Sequence, residues 1–235
     1  MHTKQIYYLD PYKKELEAKI ISIDKTPLIV NIVLDQTIFY PEGGGQPCDT
    51  GIFKNKSAEA KIEYVRTTNG EIIHQTKTDT LSKNDVVSLR IDWNSRYRYM
   101  RIHSAGHLLH DILMDINPQL VPQKGSHGKK AYLEYLGKIN LNQKTLIEEK
   151  VNETLQKDLP IVTKEADIIE IQKECRFVPD NLPKDKKLRM IKIGDFPGMP
   201  DGGVHVKSTK EIGKIWVANI SQQDNNTLVR YGIAD

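Results

Sequence analysis

Two histidines four residues apart raise the first chemical possibility. In Arg101-Ile102-His103-Ser104-Ala105-Gly106-His107-Leu108-Leu109-His110, helical winding stacks the imidazoles of His103 and His107 on one face, close enough to ligate a single metal ion. A second pole, Asp201-Gly202-Gly203-Val204-His205, sets a carboxylate and an imidazole at the same interval across two glycines that let the backbone fold tightly. Each pole alone has an ordinary explanation, as packed or surface histidines and as a hairpin turn. Together they predict a zinc site built from His103, His107, Asp201 and His205, since zinc accepts imidazole nitrogen and carboxylate oxygen in a tetrahedral arrangement. His110, one turn beyond His107, is a competing donor, and His127 shows that histidines also occur here for other reasons. Four protein ligands make a closed structural or substrate-orienting zinc. Three histidines and a water make a catalytic one, with Asp201 behind the ligands as proton acceptor. The residues alone leave both arrangements open.

A third feature is the glycine motif Phe39-Tyr40-Pro41-Glu42-Gly43-Gly44-Gly45-Gln46-Pro47-Cys48-Asp49-Thr50-Gly51. Gly43, Gly44 and Gly45 allow close backbone approach, and their amides suit a phosphate or carbonyl, while Gln46 can hydrogen-bond a substrate group. The plainer alternative is a flexible hairpin loop, although Tyr40-Pro41 and Pro47 restrain it. Basic residues interleave with aromatics at Arg96-Tyr97-Arg98-Tyr99-Met100-Arg101, and a second group comprises Lys184, Lys186, Lys187, Arg189 and Lys192. Each reads as a solvated face or as a phosphate-binding patch.

The elements that carry these groups change character near residues 92–95. Before that seam, short β-runs at 17–23, 27–34, 60–65 and 86–91 are separated by turn signals, which predicts a small barrel or sandwich over 1–92. After it, 94–114 has helical periodicity, with Asn94 or Ser95 as cap and Asn117-Pro118 as stop. A strand follows at 130–136. Asn142 then caps a helix reaching about Leu159, with Ile147, Val151 and Leu155 on its apolar stripe and Pro160 ending it. Strands are expected at 168–171, 188–193 and 215–220, with a loop at 177–187. The fold class is therefore α+β, a small N-terminal β-barrel domain at 1–92 and an α+β domain at 93–235 with helices against an antiparallel sheet.

The 235 residues can bury a sizeable core, and 34 basic against 31 acidic side chains leave a net charge of +3. That balance permits an anionic partner but falls short of a protein that coats nucleic acid indiscriminately. Two cysteines cannot make a disulfide framework. The absence of a signal pattern or a long apolar run leads to the expectation of a cytoplasmic protein with no membrane partner.

The three motifs, in this order and over nearly the whole chain, resemble the free-standing alanyl-tRNA editing proteins of the AlaX type, which are similar to the editing domain of alanyl-tRNA synthetase. The resemblance is carried by the 39–51 motif, by Trp93-Asn94-Ser95-Arg96-Tyr97-Arg98 leading into His103 and His107, and by 201–213. It points to the longer members with an N-terminal β-barrel-like domain. It implies a zinc-dependent deacylase that hydrolyses the ester of mischarged alanine tRNA, chiefly seryl and sometimes glycyl, with no obligate protein partner. His103, His107 and His205 become zinc ligands, and Gln46 lies at the edge of the editing pocket. The family's last motif commonly reads Cys-Gly-Gly-Thr-His, so Asp201 stands in the cysteine position and Val204 in the threonine position. Two other readings compete, a tRNA-binding module without turnover and an unrelated zinc hydrolase. A His-Glu-x-x-His peptidase is disfavoured because Ser104 follows His103.

Overall fold

The computed structural model describes residues 2–234, and the chain divides into two compact units, Met1–Arg98 and Tyr99–Asp235. The class is α+β. In the first unit, seven strands form one antiparallel sheet in the spatial order Glu59–Ile62, Gly51–Lys54, Val86–Ile91, Glu15–Lys25, Val30–Leu34, Glu71–Thr76, Tyr64–Thr68. The two outermost strands are neighbours in sequence, joined by Glu63, whose N–H bonds to the Gln75 carbonyl at 3.0 Å. The sheet therefore curls until its edges nearly meet, a near-barrel. The apparent single run at 60–65 is two strands, because at Glu63 the chain leaves one partner strand for another. Strict alternation in Val86–Ile91 buries Val87, Leu89 and Ile91 and exposes Val86, Ser88 and Arg90.

One histidine lies wholly inside this sheet. His74 packs edge-on or tilted against Phe39 and Phe53. Its Nδ1 faces the Ile32 carbonyl at 3.1 Å, and its Nε2 faces Thr37 Oγ1 at 2.9 Å. Because a carbonyl only accepts, Nδ1 carries the hydrogen and Nε2 accepts from the threonine. Burial lowers the His74 pKa to about 4, against the raising effect of the Ile32 hydrogen bond. An unfolded histidine takes up its proton near 6.5, so the unfolded chain binds more protons between that pH and about 4. The stabilisation is complete above the unfolded pKa and is lost as pH falls toward the folded one. It amounts to on the order of 3 kcal/mol. Thermal melts from about pH 7 down to about pH 4 are expected to show a falling Tm, with a shallower slope for His74→Phe.

The helix Trp93–Ile116 begins in the first unit and runs on in the second. Its cap is Asp92, not Asn94 or Ser95: the Asp92 carboxylate accepts from Ser95 N at 3.3 Å and from Ser95 Oγ at 2.8 Å. In the second unit, four antiparallel strands are ordered Val121–Ser126, Tyr132–Leu136, Asn226–Ile233, Ile215–Gln223. The helix Lys144–Leu155 buries Ile147, Val151 and Leu155. It is tied to the outer strand by Asn152, which both donates to and accepts from the Ile215 backbone, and by Glu148, which accepts from Val217 N. This helix is led by a 3-10 turn, Leu141–Gln143, capped by Asn140 rather than Asn142, and it ends four residues before Leu159. In a second sheet Leu188–Ile193 lies between Ile161–Ala166 and Met199–Pro200 and pairs with both.

The expected strand at 168–171 is instead the start of a helix, Ile168–Glu174. Asp167 accepts from Glu170 N at 2.8 Å, an Asp-x-x-Glu start that favours helix over a short β-branched run. No helix among the described residues is long and apolar enough to cross a membrane.

Candidate metal centre

His103 and His107 project from the Trp93–Ile116 helix, and their rings lie 5.0 Å apart at 21°. Asp201 and His205 come from the connection between Met199–Pro200 and the 3-10 turn Thr209–Ile212. That connection is pinned at its start by Asp201 N bonding to the Arg189 carbonyl at 3.0 Å, and further on by the buried Val204 and Val206. The ligand-type atoms of His103, His107, Asp201 and His205 all lie within 4.8 Å of one another. Asp201 Oδ1 is 3.3 Å from His103 Nε2 and 3.5 Å from His107 Nε2, while Oδ2 is 2.8 Å from His205 Nε2.

Small residues make this convergence possible. A Cβ on Gly203 would lie 2.3 Å from His103 Cε1 and 2.4 Å from Nδ1, so only glycine lets the loop press on that ring. Gly203 N also donates to Asp201 Oδ2 at 2.5 Å. Gly203→Ala is expected to displace His103 and weaken metal binding by roughly 10–100-fold, the scale of lost support around a ligand. Competition against a chromogenic chelator measures this, and wild-type affinity in the variant would show that the loop yields instead. Ser104 supports the fourth side chain. Its hydroxyl accepts from Val206 N at 3.2 Å and lies 3.3 Å from His205 Nδ1, leaving His205 Nε2 toward the cluster.

The protonation states suit a cation. Burial pushes the Asp201 carboxyl up, but His103, His107 and His205 outweigh it and hold it well below the usual carboxylate range. Burial lowers His103 and takes His205 down to about 3, against the pull of Asp201. Near neutral pH the cluster thus offers an ionised carboxylate and neutral imidazoles at these two positions, the forms that bind a metal. His107 Nε2 is buried and makes no hydrogen bond. A cation among these atoms would satisfy it, and three nitrogens with one oxygen are a zinc-type donor set.

His110 stands apart, its Nδ1 2.9 Å from Tyr135 Oη. His127 lies against the cluster, its ring stacked on His103 at 4.0 Å and 18°. No spacing links His127 or Tyr231 to the two histidines, and Ser104, although next to His103 in the sequence, is not a ligand-type residue.

The glycine motif belongs to the first unit. Gly43 and Gln46 exchange backbone bonds, N to O at 3.2 and 2.9 Å, around Gly44 at φ 57° and Gly45 at φ 75°. Two consecutive positive φ values make this a tight hairpin turn that favours glycine. Gly44 and Gly45 are exposed and Gln46 is buried. The basic run proves partly structural: Arg96 is fully buried on Asp49, and Arg101 donates to the Ile212 and Ala234 carbonyls. Arg98, Lys184, Lys186 and Lys187 are exposed.

Fold and site together define an α+β protein with a His3Asp centre of metal-binding type. The chain is 31% identical to the alanyl-tRNA editing protein AlaX-M of Saccharolobus solfataricus, over 94% of both chains, and it belongs to the alanyl-tRNA editing protein family. It is 35% identical to AlaX-L of Pyrococcus horikoshii over 95% of its own length but 56% of that relative. It is 33% identical to an alanine–tRNA ligase of Haloquadratum walsbyi, spanning 24% of that enzyme. A family model described as tRNA synthetases class II (A) matches residues 2–95.

Proposed function

We propose that the chain is an aminoacyl-tRNA deacylase that hydrolyses mischarged alanine tRNA, removing serine and, secondarily, glycine, at a zinc site. The observation that carries this reading is the convergence of His103, His107, Asp201 and His205 within 4.8 Å in a chain of the alanyl-tRNA editing family. The three histidines and Asp201 would hold the ion, which when bound supplies a Lewis acid that polarises an ester or a water. An aminoacyl ester is already activated, so the protein's larger task is orientation and choice. Gln46, buried at the end of the glycine turn, is placed at the edge of the substrate pocket by the family resemblance, and Gly43, Gly44 and Gly45 are assigned to substrate by the close backbone approach they allow. Asp201 either completes the ligand set or accepts the proton of the attacking water.

Discrimination of serine from alanine follows from hydrogen bonding. A pocket that pairs its polar groups with the serine hydroxyl leaves them unpaired when alanine enters, which is the asymmetry a second hydrolytic sieve uses. The test is deacylation of alanine tRNA charged separately with serine, glycine and alanine. Rapid loss of serine with alanine retained is expected. Equal rates on all three would overturn the specificity, and binding of the tRNA without turnover would favour the non-catalytic module.

A further inference from the structure

We infer that His127 and Tyr231 form a positioning pair for the metal-binding imidazole of His103, an inference that rests on the metal reading of the cluster. Three observations carry it. The His127 ring lies flat on His103, with centroids 4.0 Å apart and planes within 18°, so it restricts the tilt of that ring. His127 is itself held: its Nδ1 is 2.6 Å from Tyr231 Oη, and Tyr231 donates to the Ile102 carbonyl at 3.2 Å. A phenol has one hydrogen. With that hydrogen given to Ile102, Tyr231 accepts from His127 Nδ1–H, which settles the tautomer and the ring orientation together.

The third observation is the space made for the pair. A Cβ on Gly106 would lie 2.4 Å from Tyr231 Oη and 2.7 Å from His127 Cε1 and Nδ1. Gly106 stands between the two helical histidines, so the helix has its one side-chain-free position where the strand residue and the loop residue press in. The arrangement runs from the strand Asn226–Ile233, through Tyr231 and His127, to His103, and back to the helix backbone at the residue before His103. His127 is not itself one of the four converging donors, and its Nδ1 is committed to Tyr231. Its part is to hold a ligand's ring where the metal needs it, as outer-shell partners do.

The experiment compares His127→Ala, His127→Phe and Tyr231→Phe with the wild type. It reads zinc affinity by chelator competition, the visible absorption of the cobalt(II) form, and the Tm of the metal-free protein. His127→Ala, which loses both ring and anchor, is expected to weaken zinc binding by roughly 10–100-fold and to alter the cobalt bands. His127→Phe, which keeps a flat ring, is expected to recover part of the affinity. Tyr231→Phe removes one hydroxyl with little change of shape and is expected to shift the cobalt bands even if His127→Ala folds poorly. Wild-type affinity and unchanged cobalt spectra in His127→Ala or Tyr231→Phe would overturn the positioning role, as would affinity losses that merely follow the fall in metal-free Tm. Failure of the wild type to take up zinc would overturn the metal reading itself.

Discussion

Asp49→Ala is expected to lower the unfolding free energy by about 3–5 kcal/mol, the cost of stranding a buried charge. Arg96 and Asp49 both have fully buried side chains. Arg96 Nε lies 2.9 and 3.0 Å from the two Asp49 oxygens, Nη2 reaches Asp49 and the Ile38 carbonyl, and Nη1 reaches the Pro11 carbonyl at 2.8 Å. Asp49 in turn accepts from Tyr40 N at 2.6 Å. One ion pair therefore joins the start of the long helix to both ends of the glycine motif and to the N-terminal segment. Removing Asp49 leaves a guanidinium with carbonyl acceptors but no countercharge, whereas replacing both partners by apolar residues removes the desolvation cost as well. Urea unfolding of Asp49→Ala beside the Arg96→Met/Asp49→Leu pair distinguishes these cases. The double variant is expected to be markedly more stable than the single one, and a loss below about 1 kcal/mol for Asp49→Ala would contradict the assignment.

His205→Ala is expected to reduce zinc from about one ion per chain to nearly none and to slow seryl-tRNA hydrolysis by at least about 10²–10³-fold. The imidazole is set toward the cluster by Ser104 and stands 2.8 Å from Asp201, so its loss removes one of the four converging donors. Asp201→Asn separates the two roles open to the carboxylate. Retained zinc with lost hydrolysis makes Asp201 the proton acceptor, and loss of both makes it a ligand. Elemental analysis with the deacylation rate reads both outcomes. A zinc-replete, active His205→Ala would contradict the proposed ligand set.

The curled N-terminal sheet was legible because alternation such as that of Val86–Ile91 reports a half-buried strand directly. The long helix was legible from its periodicity, but its cap was not, since Asp92, Asn94 and Ser95 are all plausible caps and only the folded backbone selects Asp92. Residues 168–171 misled through their β-branched composition, although Asp167 and Glu170 carried the helix-start signal. The same composition rule passed over Ile161–Ala166, whose four central residues are exposed and lack the alternation of a half-buried strand. Arg96 reads in the sequence as part of a solvated face or a phosphate-binding patch because charge pattern says nothing about burial; its partner Asp49 is distant in sequence. His127 met His103 for a similar reason. Stacking across a loop has no period, and only Gly106, where any side chain would collide with His127, left a trace of it in the sequence.

The most direct measurement is the hydrolysis rate of seryl-charged alanine tRNA by the full chain before zinc removal, after chelation and after zinc is restored. A zinc-dependent deacylase is expected to lose this activity with the metal and to regain it with about one zinc per chain. A rate indifferent to chelation, in protein shown to contain no zinc, would contradict that dependence.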